Sequence, residues 1–282
     1  IFLSAKSVNF VVYGLLPTQM QSAFQWMGWL VAASVTGVVM LTAYALIAAL
    51  FFGNQERLTF SRELVVQQLA ILGPLTAREW AAVVGIAAFG VGVIISPIIH
   101  ISPPWISFIL FFGLLLSGAL EPDEFKHDID WPFLVFMAGV VGMVNSMRHL
   151  ELDTWMAQKF AWMGGYMVHD FPLFILMLAL ALTLVRIVVP ISAAIVTFAA
   201  IFNSIALVEG INPWVIGFII LVLGENWYAP YQCSYYIQFR DILREPPLYE
   251  EKRFLLFNAI MTLVKLGAIY ASIPFWQYMG FL

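Results

Sequence analysis

The 282-residue sequence is 62% hydrophobic and only 11% charged, with a mean hydropathy of +0.91. That balance excludes a water-soluble protein of this size, whose surface would have to carry far more charge. A formal charge of -4 argues against a nucleic-acid partner, and the single cysteine, Cys233, excludes an internal disulfide and a Cys-rich metal site.

The solvent is therefore lipid. A hydrocarbon core about 30 Å thick takes roughly 20 apolar residues per helix, and irregular backbone survives at depth only where protein or water satisfies it. The expected fold class is an all-α polytopic membrane protein. The chain opens at Ile1 without the charged leader and cleavage pattern of a signal peptide, and reads as a piece of a longer protein.

In chain order, a span is expected over 26–52, followed by a loop over 53–79 that carries Arg57, Arg62 and Arg78. Spans over 80–99 and 104–120 flank a turn, 100–103, with no Lys or Arg. An acidic run (Glu121, Asp123, Glu124, Asp128, Asp130) lacks the spacing of a calcium loop and reads as a solvated turn. A span over 131–147 comes next. The segment 150–163 mixes Leu, Trp and Met with Glu151, Asp153 and Lys159, ends at Gly164-Gly165, and reads as an amphipathic helix lying in the interface.

Span 171–189 leads into two stretches, 190–208 and 213–223, that are short or interrupted by Pro and by the cluster Gly224, Glu225, Asn226. Short apolar segments with Gly or Pro at their ends are the sequence form of discontinuous helices and re-entrant hairpins; two ordinary tilted helices are the plainer alternative. A final span covers 254–273. The basic residues of 53–79 and of 239–253 (Arg240, Arg244, Lys252, Arg253) place both loops in the cytoplasm, and the C-terminus then falls outside.

No HExxH pattern, GxSxG elbow or glycine-rich phosphate loop is present, so an enzyme is not expected. Polar groups at membrane depth guide better, because they are costly there. Arg186, at the end of an apolar run and just before Pro190, either helps bind an anion or snorkels to the interface. Lys265, near the middle of the last span, needs an aqueous face or a partner such as Glu209 or Glu225. Asn9, Ser192, Thr197, Asn203, Ser204, Asn226, Gln232 and Ser234 add neutral donors and acceptors, several of which helix–helix hydrogen bonding would explain.

Short motifs then become specific. Leu72-Gly73-Pro74-Leu75-Thr76-Ala77-Arg78-Glu79, Asp130-Trp131-Pro132 before Gly139 and Gly142, Gly210-Ile211-Asn212-Pro213, and Pro274-Phe275-Trp276-Gln277-Tyr278-Met279-Gly280-Phe281 occur in an order similar to that of the divalent anion/sodium symporter family. Ser4-Ala5-Lys6-Ser7-Val8-Asn9 with Tyr13-Gly14 resembles the motif closing that family's first repeat. The resemblance implies two inverted repeats, each with a re-entrant hairpin, forming a transport domain that moves against a dimeric scaffold. On it, 1–52 ends the first repeat, 53–79 is a cytoplasmic linker, and 80–282 is the second repeat, with a hairpin near 186–209. Most of the first repeat would lie outside this chain, which alone should not be fully competent.

The resemblance also shows departures. Where the family has a Ser-Asn-Thr hairpin tip, this chain has Pro190-Ile191-Ser192, and Gln232 stands where an asparagine is expected in Ala229-Pro230-Tyr231-Gln232-Cys233-Ser234. Hard cations need oxygen ligands, so sodium coupling is not implied; Na+ or H+ stands as coupling ion and no cofactor is expected. The site residues are taken as Ser7, Asn9, Ser192, Gln232, Ser234 and Arg186. The expected function is secondary active transport of small anions such as dicarboxylates or sulfate by a homodimer in the plasma (inner) membrane. The alternative is a non-transporting membrane scaffold.

Overall fold

A computed structural model describes residues 2–52, 62–99, 103–127, 152–233 and 250–282, with isolated residues between these stretches. The described residues form thirteen α-helices and no strand. The span expected over 131–147 and the loop expected over 239–253 lie largely outside them. The helices fall into two compact units, Asn54–Phe136, and Ile1–Gly53 with Met137–Leu282.

In the smaller unit, α5 (Arg62–Leu72) stops where Gly73 turns left-handed (φ 72°), a conformation that a Cβ disfavours, and Pro74 prevents continuation. Thr76 and Glu79 then start α6 (Ala77–Ile99) as a capping box: Thr76 N donates to Glu79 Oε2 at 2.6 Å and Glu79 N to Thr76 Oγ1 at 3.3 Å. Four of the motif's residues are therefore helix punctuation. Helix α6 packs on α7 (Pro103–Leu116), with Ile106 so close that a Cβ at Gly92 would lie 2.7 Å from its Cγ2. Arg78 pairs with Glu121 at 2.6 Å and lies 3.7 Å from Glu124, which opens α8 (Pro122–His127), so part of the acidic run is partnered.

The larger unit begins with α1 (Ser7–Gly14), α2 (Thr18–Ala23), α3 (Trp26–Ala32) and α4 (Ser34–Phe52). The expected 26–52 span is thus interrupted at Ala33. The reason is tertiary: Trp276 Nε1 donates at 2.9 Å to Ala32 O, the carbonyl that a continuous helix would offer to Thr36 N. The unit continues with α9 (Leu152–His169), α10 (Phe171–Val185), α11 (Ile191–Val208), α12 (Pro213–Gly224) and α13 (Glu251–Tyr278).

Three of these helices differ from expectation. Helix α9 does not end at Gly164-Gly165 but runs through it, because a Cβ at Gly164 would meet Ile205 Cγ2 at 3.0 Å and Glu209 Oε1 at 2.8 Å; the glycine allows close packing on α11. Met163 and Met167 are buried in the same contact region, so this part of α9 is core. The 190–208 stretch is one unbroken 18-residue helix. Helix α13 has 28 residues and contains Pro274.

The core sits where α12 is enclosed by α1, α10, α11 and α13. All but one residue of α12 are buried. Gly210 (φ 75°) ends α11, Ile211 N returns to Ala206 O at 2.9 Å, and Asn212 Oδ1 accepts from Trp214 N at 3.0 Å to cap α12, whose first residue is Pro213. Trp214 stacks on Phe24 and Phe218 with ring centroids 5.0 and 4.9 Å apart, and meets Trp29 edge-on at 5.4 Å. Four helices among the described residues are long and apolar enough to span a bilayer: the segments Ser34–Phe51, Ala77–Ser96, Ile191–Val208 and Glu251–Tyr278.

Candidate functional site

Two non-helical stretches meet at one end of α10 and α12. Helix α10 closes with Arg186 N on Leu182 O at 2.9 Å, and Val189 N still reaches Val185 O at 2.9 Å before Pro190 starts α11. After α12, Glu225 ends the helix and the chain runs irregularly to a short 3₁₀ turn, Pro230–Gln232. Arg186 joins the two. Its guanidinium donates to Val189 O at 3.2 Å, Asn226 O at 3.3 Å and Gln232 O at 3.2 Å. In return Gln232 Nε2 donates to Arg186 O at 3.2 Å, and Tyr231 Oη to Ile187 O at 3.2 Å.

Arg186 is only 3% exposed, so it does not snorkel. Among the described residues it forms no ion pair, and its Nε has no hydrogen-bond partner. The guanidinium bonds neutral carbonyls, with Glu225 acting on it only from beyond ion-pair distance, and a buried cation so incompletely balanced favours a nearby anion.

A cavity of about 100 Å³ lies beside this junction, lined by Lys6, Asn9, Glu225 and Lys265 together with Ala5, Trp29, Met40, Phe218, Leu221 and Val222. Lys6 Nζ and Glu225 Oε2 are 2.5 Å apart. Lys265 Nζ donates to Asn226 Oδ1 at 3.0 Å. The partners suggested for Lys265 from sequence are met in part: Glu225 shares its cavity and acts on it electrostatically but bonds Lys6, Glu209 follows the end of α11 beside Gly164, and the hydrogen bond of Lys265 goes to a neutral amide. Asn226 connects the cavity to the turn, with its main-chain oxygen on Arg186 and its side-chain oxygen on Lys265. Asn258 Nδ2 donates to Trp227 O and ties the same loop to α13.

The geometry so far is that of a multi-pass helical protein with a polar, cation-lined pocket at a helix break. Residues 1–234 match the family described as the sodium:sulfate symporter transmembrane region. The chain belongs to that family. It is 22% identical to the inner membrane protein YbhI of Escherichia coli over 211 residues, covering 74% of this chain and 44% of that relative. An uncharacterized transporter of Haemophilus influenzae is 24% identical over the same proportions, and the chloroplastic dicarboxylate transporter 2 of spinach is 26% identical, covering 56% of this chain and 28% of its own length. The chain thus spans less than half the length of these relatives. It is an integral, multi-pass, all-α membrane protein of a transporter family.

Within this sodium:sulfate symporter family chain, the residues taken from sequence separate into groups. Arg186 and Gln232 come together at the turn, but the Gln232 carboxamide is taken up by the loop, its Oε1 accepting from Tyr228 N at 2.7 Å and Ala229 N at 3.1 Å. Asn9 lines the cavity and donates to Phe2 O at 3.0 Å. Ser192 is half-buried in the first turn of α11, outside the cavity lining. Ser7 opens α1, but its side chain lies outside the described residues, as does Ser234 altogether.

Lys6 belongs to the site without having been selected from sequence. A signal existed: it is the sole charged residue among the first 55. Asn203 behaves otherwise than expected of a helix–helix hydrogen-bonder, since both its side-chain polar atoms are buried without a partner among the described residues. Ser204 bonds back to Ala200 O at 3.0 Å in its own helix.

Proposed function

We propose that the protein carries small divalent anions, dicarboxylates or sulfate, across the inner membrane as a secondary active transporter working by an elevator-like, alternating-access movement. The observation that carries this reading is the junction of the 186–190 turn with the 225–232 loop. There a buried guanidinium, in no ion pair among the described residues, adjoins a cavity holding two lysines and one glutamate. Against the single negative charge of Glu225, the three cations leave the junction positive, and helix breaks expose main-chain groups suited to small ions. Family membership supports the transport class, and the spinach relative's name supports dicarboxylates as substrates. A homodimer, cytoplasmic 53–79 and 239–253 loops and an external C-terminus complete the proposal.

The test is uptake of labelled succinate and sulfate by proteoliposomes containing the full-length gene product. Saturable uptake of either anion, abolished by Lys265→Met, is the expected result. Absence of uptake and of anion-dependent stabilisation in folded protein overturns the transporter reading in favour of a non-transporting scaffold.

A further inference from the structure

We infer that the chain fills with its own cations a group of oxygens of the kind that ligates sodium, so that its anion site works without sodium. The basis is the set of oxygens around Arg186. Three main-chain carbonyls, of Val189, Asn226 and Gln232, converge from two separate stretches on one guanidinium at 3.2–3.3 Å. The other oxygen of Asn226, Oδ1, is held by Lys265 at 3.0 Å. Carbonyl and amide oxygens are ligands that a hard cation uses, and here each of the four accepts from an N–H of Arg186 or Lys265, with no carboxylate bonded to either cation among the described residues.

The residues therefore do not fit sodium. An ion approaching these oxygens meets the permanent charge of the buried Arg186 and the Lys265 ammonium, and like charges repel more strongly at buried sites than in solvent. Arginine cannot escape by losing its proton. Burial of Arg186 and the three bonds from its guanidinium to main-chain oxygens hold the group in place, while Gln232 Nε2 anchors its backbone, so it is a fixed occupant of the pocket. Its Nε, without a partner among the described residues, leaves one donor available, and the charge that sodium would lend to a bound dianion is already built in.

The anion part of this inference rests on the proposed function; the occupancy of the oxygen pocket does not. Thermal melts of the full-length gene product in detergent separate the two. Sodium chloride is exchanged for choline chloride at constant ionic strength, with and without succinate or sulfate. The wild-type protein is expected to show no sodium-specific shift. Apparent anion affinity should stay within about twofold as sodium rises tenfold, whereas co-binding of one sodium below saturation would change it by up to about tenfold. Arg186→Ala, which frees the carbonyls, is expected to gain a saturable sodium-specific stabilisation of several degrees, while Arg186→Lys remains indifferent to sodium.

A saturable sodium-specific shift in the wild type overturns the inference, as does a folded Arg186→Ala variant with no response to sodium. If Arg186→Ala does not fold, the wild-type titration decides alone. Failure of every anion to stabilise the protein overturns the transport reading and leaves the sodium arms to judge the pocket.

Discussion

Helices α11 and α6 are both apolar enough to span a bilayer, yet 56% of Ile191–Val208 is buried inside the protein against 11% of Ala77–Ser96. The first faces other helices; the second presents Val83, Val84, Ile86, Val91 and Ile94 outward. Hydropathy measures transfer out of water and is almost blind to whether the apolar neighbour is lipid or protein. Shape tells them apart: glycines and aromatics meet closely around α12, and packing rather than water exclusion holds helices together in lipid.

Substitutions of matched size in the two regions sharpen this contrast. Trp214→Ala is expected to cost about 3–5 kcal/mol, since the ring is 1% exposed and packed on all sides. Trp80→Ala, more than half exposed, should change stability by no more than about 0.5 kcal/mol. Equal losses in unfolding of the detergent-solubilised protein would break the comparison. Overpacking gives the next largest effect. Gly217→Val puts a Cβ 2.9 Å from Val12 Cγ1 and should cost about 1–3 kcal/mol, while Gly90→Val, with open space around it, should cost little.

Asn203→Leu is expected to leave stability unchanged or raise it by about 1–2 kcal/mol, because it removes two buried polar atoms that have no partner among the described residues. A marked loss would mean that the amide is satisfied in the membrane. Asn212→Ala should lower stability by about 1 kcal/mol through loss of the α12 cap. Arg78→Ala should have a smaller effect than loss of the cap. Its pair with Glu121 is about half exposed on both sides, and solvent screening leaves about 0.2–1 kcal/mol at most. Melting midpoints at two salt concentrations measure it, the difference from wild type shrinking at high salt.

The site was partly legible. Arg186 stood out because a charge closing a long apolar run is costly wherever it is placed, and the choice between snorkelling and burial awaited the fold. Gln232 was located by its motif, but its amide stabilises the loop, which no linear pattern reports. Lys6 and Glu225 are 219 positions apart in sequence. Their pairing follows from the packing of α1 against α12.

Composition by itself determined that lipid is the solvent and that helices are the solution, since every backbone polar group must be satisfied internally there. Local sequence also determined the punctuation: Gly73-Pro74 before the Thr76/Glu79 capping box, and Gly210 before Asn212-Pro213, act within a few residues and need no distant partner. Tertiary structure alone decided which apolar helices are core, why helix 26–52 yields at Ala33, and where the cations go. Those outcomes depend on contacts such as Trp276 on Ala32 and Arg186 on Asn226 and Gln232, between groups that only the folded chain brings within hydrogen-bonding distance.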